Sequence, residues 1–374
     1  MKTVRRLLHA DVIQSVGFVA LAFLSLFFFL DFIEELRNVG RGSFTLIDAF
    51  VACLLELPGH LYELAPIAVL IGSIYALSRL AQSSEFTILR TSGLGPGRAL
   101  AMLAQVGLGF AVITFLVGDV IAPIAEAQGA RLQAAQAGGY GLGRAGAWLK
   151  ERRHTPAGER SVSVNVGAAG GDGVLRDVRI FEFDEDGRLV RRLAAERARI
   201  DRAGHWQLDR VDEVAWPDPQ SAAGEPASAR VLRRQLESLS WETTLQASVV
   251  AAAVMPQNTM STLDLFRYIG HLARNEQAAQ SHEIAFWRRA LYPFACLVMV
   301  ALALPFAYLH ARAGGISLKV FGGIMLGISF VLLNNVAAHL GLLRNWTPWI
   351  VASTPSLLYL GLSLIAFAWL VRFR

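Results

Sequence analysis

Charge, cysteine and catalytic motifs are all scarce in this sequence. Of its 374 residues only 17% are Asp, Glu, Lys or Arg while 54% are hydrophobic, a balance too apolar for an ordinary soluble protein. The two cysteines, Cys53 and Cys296, both fall in apolar runs, so no disulfide framework is expected and cysteine usage leaves the compartment open. No Gly-x-x-x-x-Gly-Lys-Ser/Thr, His-Glu-x-x-His or Gly-x-Ser-x-Gly occurs. That excludes the usual ATP cradle and offers no catalytic set, so no catalytic residue is assigned and a membrane enzyme is disfavoured. A basic stripe interleaved with aromatics is also missing, and the net charge of +5 is not read as nucleic-acid binding. The first apolar run has no small-residue cleavage site after it and reads as a retained anchor.

What is present is long uncharged runs at both ends and a charged middle. Residues 126 to 289 hold 22 of the 35 Lys and Arg and 21 of the 30 Asp and Glu, giving membrane, soluble domain, membrane. Val12 to Leu30 is uncharged and long enough to span. A second span runs from about Ala49 to Leu77, interrupted by Pro58 and Pro66, and a third from about Ala99 to Ile121, ending near Pro123. Three more follow at about Ala290 to Tyr308, Val320 to Leu342 and Trp349 to Val371. The short loops carry 10 basic residues on the side of the N-terminus against 3 on the other, so both termini are expected in the cytoplasm. The expected fold is a polytopic α-helical membrane protein of six transmembrane helices with an inserted extracytoplasmic all-β domain. Its divisions are 1–125, 126–260 and 261–374.

Within the insert, Arg160 to Val166, Val174 to Phe183, Leu189 to Ile200, His205 to Trp216 and Ala229 to Trp241 alternate or carry β-formers. Asp184-Glu-Asp-Gly187 lacks the remaining ligands of a calcium loop and reads as a hairpin turn. Leu263 to Glu283 reads as a helix leading back to the membrane.

Few residues suggest chemistry. Glu56, His60 and Glu63 recur at i, i+4 and i+7 on the second span, which on an ideal helix is one face. Pro58-Gly59 disturbs that geometry, and a hydrated helix-end contact is preferred to a metal site. Arg37 and Arg41 follow the first span, with Phe23, Phe27, Leu30 and Ile33 roughly on one face below them. The set suits a phosphate-bearing lipid, and equally a lipid-facing stripe with solvated loop charges. Gly323-x-x-x-Gly327 permits close helix packing, while Asn334, Asn335 and His339 should face protein or a cavity. Between the second and third spans, Gln82 to Gly93 is too short and polar to cross a bilayer and reads as a small helix. Glu85 beside Phe86 and Leu89 suits docking into a partner's groove, or else the segment merely turns the chain.

The order Leu77-Ser-Arg-Leu-Ala-Gln-Ser-Ser-Glu-Phe-Thr-Ile-Leu-Arg-Thr-Ser-Gly93 resembles the coupling-helix region of the LptF/LptG family of lipopolysaccharide-export permeases. The resemblance extends to Glu35-Leu-Arg-Asn-Val-Gly-Arg-Gly-Ser43, the Pro66 span, the β insert and Thr262 to Leu272, and its flanking stretches are more similar to the LptG branch. It implies an ABC-transporter permease in the inner membrane of a Gram-negative bacterium. Such a subunit pairs with an LptF-type permease, a dimeric cytoplasmic ATPase, a single-span LptC-type membrane protein and a periplasmic bridge, and it moves lipopolysaccharide. By the same resemblance the insert is a periplasmic β-jellyroll. Ser84, Glu85, Phe86, Leu89 and Arg90 become the ATPase-coupling set, with Glu85 the acidic contact. Phe23, Phe27, Leu30, Arg37, Arg41, Leu326 and Phe330 become candidate substrate contacts. No cofactor is implied for this chain, since ATP is used by the partner. Asp31 stands where enterobacterial members carry a basic residue. The alternative is a membrane-anchored scaffold that transmits force from an ATPase without moving a substrate.

Overall fold

The computed structural model describes residues 2–40, 44–83, 96–137, 140–141, 146–155, 158–169, 174–200, 205–216, 231–243, 245, 249–250, 260–274, 279–308 and 315–372. They fall into two compact units. One holds Met1–Arg41, Thr45–Glu126 and Gln280–Arg374, and the other Ala127–Ala279 with Gly42–Phe44.

The first unit contains α1 (Lys2–Glu35), α2 (Leu46–Gln82), α3 (Pro96–Leu116), a π-helical turn (Val117–Ile121) and the first residues of α4 (Ala122–Ala137). After the insert come α6 (Gln280–Tyr308), α7 (Ile316–Leu343) and α8 (Pro348–Arg372). Among the described residues six helices are long and apolar enough to cross a membrane, the number expected from the apolar runs.

The core of this unit is α2, buried on nearly every side from Pro66 to Leu80, which explains why its sequence is apolar all round rather than sided. It starts at a capping box: the Asp48 carboxylate accepts from the Thr45 backbone N–H at 2.9 Å, and Thr45 Oγ1 accepts from the Asp48 N–H at 3.3 Å. Pro58 and Pro66 lie inside the helix without ending it, since neighbouring helices can re-satisfy freed backbone groups in a membrane bundle. The expected interruption of the second span is therefore absent. Small residues set the approach of neighbouring helices. Gly72 lies against α1 at Val16, and on α7 Gly323 and Gly327 lie against Ile74 and Ile67 of α2. The small-xxx-small pattern thus packs within the chain. The Arg79–Asp11 ion pair at 2.8 Å further links α2 to α1.

The third span does not stop at Pro123. The π turn precedes it, with the Ala122 N–H bonded to the Val117 carbonyl, so the i→i−4 ladder is already broken where proline brings no donor. Gly118 in this turn packs against the Tyr62 ring, and the Arg289 guanidinium donates to the Gly118 carbonyl.

In the second unit β1 (Tyr140–Gly141), β2 (Ala147–Thr155), β3 (Gly158–Ala169), β4 (Leu175–Phe183), β5 (Leu189–Ile200), β6 (Trp206–Ala215) and β7 (Leu232–Trp241) form one antiparallel sheet. From β2 to β7 each strand pairs with the next in sequence, so the all-β expectation holds and the described connectivity is a meander. Val162, Val164, Val166, Val178, Ile180, Leu193, Trp206 and Leu208 build its core, mostly by the alternation of a half-buried strand. Trp206 and Trp241 pack edge to face with centroids 5.7 Å apart, and the Trp206 indole N–H donates to the Leu245 carbonyl at 3.3 Å. Glu182 is buried but satisfied: it accepts from the Trp241 indole at 3.2 Å and lies 3.8 Å from Arg160 and 3.9 Å from Arg191. Asp184 to Gly187 is a hairpin turn as expected, with Gly187 at φ +76° and its N–H bonded to the Asp184 carbonyl. Helix α5 (Thr262–Arg274) clusters with this unit, not with the last three spans as the division at residue 260 expected.

Candidate functional site

The residues proposed from sequence separate into three groups. Ser84, Glu85, Phe86, Leu89, Arg90 and Arg41 lie outside the described residues. On α1, Phe23 and Phe27 are half-buried and Leu30 is exposed, while Arg37 is exposed in the turn that follows the helix. On α7, Leu326 is half-buried, but Phe330 is only 1% exposed and packs edge to face on Tyr359 at 5.3 Å. Phe330 thus packs inside the chain, while Leu326 lies nearer its surface. The i+4 spacing that puts Phe330 beside Leu326 does not distinguish the inner edge of a helix stripe from its outer edge.

Away from α2, the outer faces of both α1 and α7 are apolar and open. Phe18, Leu21 and Phe29 of α1 are 73%, 66% and 60% exposed, and Leu318, Phe321 and Leu332 of α7 are 65%, 58% and 63% exposed. Neither helix packs substantially on the other, since each leans on α2. The α1 wall runs toward Arg37, so a long apolar surface ends near an exposed cation. That is the pattern an amphiphile with an anionic head would need.

Near the Arg37 end of the wall stands a polar cluster. Asp31 Oδ2 lies 2.8 Å from His60 Nε2, and the His60 ring packs on Phe27 with centroids 5.0 Å apart. The Glu56 carboxylate is close to both, the three ligand atoms lying within 4.8 Å of one another. The sequence pairing of Glu56 with His60 thus holds, but their third companion is Asp31 of α1. Glu63 is exposed, and its backbone carbonyl accepts from the Tyr292 hydroxyl at 2.5 Å.

Sequence reasoning also missed Arg288 and Arg289, because the fourth span was begun at Ala290. Both lie inside α6. Arg288 donates to Asn335 Oδ1 at 3.2 Å, and Arg289 sits 4.0 Å from Asp119 and 5.6 Å from the Tyr62 ring centroid. The usable signal was a pair of arginines directly abutting an apolar run, where their partners must come from other helices. Asn334 donates to the Phe330 carbonyl at 3.0 Å, and His339 Nδ1 is 2.9 Å from the Asn335 carbonyl.

Residues 6–369 match the model of the family described as lipopolysaccharide export system permease LptF/LptG. The chain belongs to the LptF/LptG family. It is 26% identical over 338 residues to the lipopolysaccharide export system permease protein LptG of Escherichia coli (strain K12), covering 90% of this chain and 89% of that one. It is 24% identical over 362 residues to the protein of the same name from Haemophilus influenzae, covering 96% of each chain. It is an LptG-type permease with a role in lipopolysaccharide transport. Six apolar helices and an inserted antiparallel sheet are the architecture on which that role is carried.

Proposed function

We propose that this LptG-type chain is one permease of an ABC transporter that extracts lipopolysaccharide from the periplasmic leaflet of the inner membrane and passes it to a periplasmic bridge. Its second permease is of LptF type, and a single-span LptC-type protein completes the membrane assembly. Hydrolysis of ATP belongs to a dimeric cytoplasmic partner, since this sequence has no nucleotide cradle. Both termini lie in the cytoplasm on this reading, as the 10-to-3 bias of short-loop positives suggests. The observation that supports it best is the open apolar wall of α1 with Arg37 beyond its end. Acyl chains are accommodated along such a wall, and a phosphate is held by the guanidinium.

The working stroke on this reading is a population shift. Closure of the ATPase dimer moves the segment around Ser84, Glu85, Phe86, Leu89 and Arg90, and the cavity between the two permeases narrows around the lipid. Phe23, Phe27, Leu30, Arg37, Arg41 and Leu326 contact the substrate, and Glu85 is the acidic point of entry for the force.

A photo-crosslinking amino acid placed at Phe27 or Arg37 of the assembled transporter is expected to form an adduct with lipopolysaccharide that is lost during ATP turnover. No adduct at either position would replace this reading with that of a force-transmitting scaffold. Glu85→Lys is expected to abolish ATP-driven release of lipopolysaccharide, and full release by that variant would remove Glu85 from the coupling role.

A further inference from the structure

We infer that Asp31, Glu56 and His60 form a site for one divalent transition-metal ion that ties the end of α1 to the middle of α2. Their ligand atoms, two carboxylate oxygens and an imidazole nitrogen, lie within 4.8 Å of one another. Glu56 and His60 are one turn apart on α2 and share a face, while Asp31 comes from α1, so a bound ion would cross-link two helices. Around an ion with bonds of about 2.0–2.2 Å, adjacent ligands stand roughly 3–3.5 Å apart. Asp31 Oδ2 and His60 Nε2, at 2.8 Å, are already close to that spacing. Rotation of side chains by about 1 Å closes the rest, within reach of the flexible Glu56.

Charge balance favours a cation independently of spacing. Among the described residues neither Asp31 nor Glu56 is paired with a lysine or arginine, and His60 is the partner that Asp31 has. Glu34 and Glu35 add negative charge within electrostatic reach of Glu56. A further carboxylate comes from α4. Gly59, beside His60, has no side chain, and a methyl group there would stand 2.7 Å from Glu126 Oε1. Glu126 Oε2 is buried without a hydrogen-bond partner among the described residues, and the cation acting on it most strongly is Arg289, so Glu126 adds negative charge beside the site and is not one of its ligands. One neutral imidazole with two anionic oxygens suits Zn²⁺ or a similar borderline ion better than Ca²⁺ or Mg²⁺, which prefer all-oxygen shells. Three protein ligands leave further positions to water. The site does not depend on whether the chain carries lipid.

The test uses the full-length chain in detergent, with its affinity tag removed and metal stripped by a chelator. Titration with Co²⁺ is expected to give a visible d–d absorption that saturates at one equivalent and disappears on adding Zn²⁺. Asp31→Asn, Glu56→Gln and His60→Ala should each weaken Zn²⁺ binding at least tenfold, with Glu63→Gln unchanged. The inference is overturned if the unmodified chain shows no saturable band displaced by Zn²⁺, a readout that needs no variant to fold. It is equally overturned if all three site variants bind Zn²⁺ as the parent does, or if Glu63→Gln is as damaging as Glu56→Gln.

Discussion

Gly72 of α2 lies directly against the backbone of Val16 in α1. A methyl group built on it would come within 2.5 Å of the Val16 Cα, and a backbone atom cannot turn aside as a side-chain tip does. The α1–α2 contact therefore depends on the absence of a side chain at this point.

Gly72→Val is expected to separate the two helices or to force a backbone shift, at a cost of about 1–3 kcal/mol or more. Gly17, which has open space around its position, is the control, and Gly17→Ala should leave the contact intact. Cysteine pairs engineered across α1 and α2 read the outcome: crosslinking efficiency should fall for Gly72→Val alone.

Arg289 holds the π turn from α6. Its guanidinium donates to the Gly118 carbonyl and sits 4.0 Å from Asp119 while only 10% exposed. Arg289→Ala should lose about 1.5–3 kcal/mol, as expected for a hydrogen bond from a charged donor. Arg289→Lys should recover part of that, because it keeps the charge but not the planar fork. Hydrogen exchange of the amides from 117 to 121 in the full-length chain measures the change, and unchanged protection in Arg289→Ala would show that the turn stands without it.

In the β unit, Trp206 is wholly buried and joined to both Trp241 and the Leu245 carbonyl. Trp206→Ala should destabilise this unit by about 3–5 kcal/mol through cavity formation and the lost ring contact. At 1.36 kcal/mol per tenfold, amide protection in β5 to β7 should fall by roughly a hundredfold or more. Trp148, on the same sheet but 54% exposed, should tolerate the same change with little loss.

A pH effect follows from Asp212, whose carboxylate accepts from Arg233 Nε at 3.1 Å and Nη2 at 2.8 Å. Hydrogen bonding by Arg233, with its charge, holds the Asp212 carboxyl below its ordinary value. The folded value lies below the unfolded one, so the pair's stabilisation is present above about pH 3.9. It disappears as pH falls through the folded value. Arg233 is exposed and Asp212 only half-buried, so the contribution is small. Carbon-13 NMR of the carboxyl should show Asp212 titrating upward toward the ordinary range in Arg233→Ala, and no movement would place the cause elsewhere.

Hydrophobic run length sufficed to count the spans, because an uncharged run long enough to cross a bilayer has few other uses. Alternation likewise revealed the strands from β3 to β7. It failed for β2, where Lys150, Glu151, Arg152 and Arg153 hide the pattern: Glu151 is buried, but as an ion-paired and hydrogen-bonded residue that accepts from Thr243 Oγ1 at 2.7 Å. Local rules also misjudged Pro123, since a helix end was expected where a π turn had already relieved the hydrogen-bond ladder.

The candidate site shows the same division. That α1 is a spanning helix followed by Arg37, and that Glu56 and His60 share a face of α2, was determined by composition and the 3.6-residue period, both properties of a few consecutive residues. Which faces turn inward was decided only by packing: Phe330 against Tyr359, Gly72 against Val16 and Glu126 against Gly59. The pairing of Asp31 with His60, 29 residues apart, belongs to this second kind. No spacing rule connects residues on two helices, and the crossing that brings them together is set by the shapes of the side chains between them.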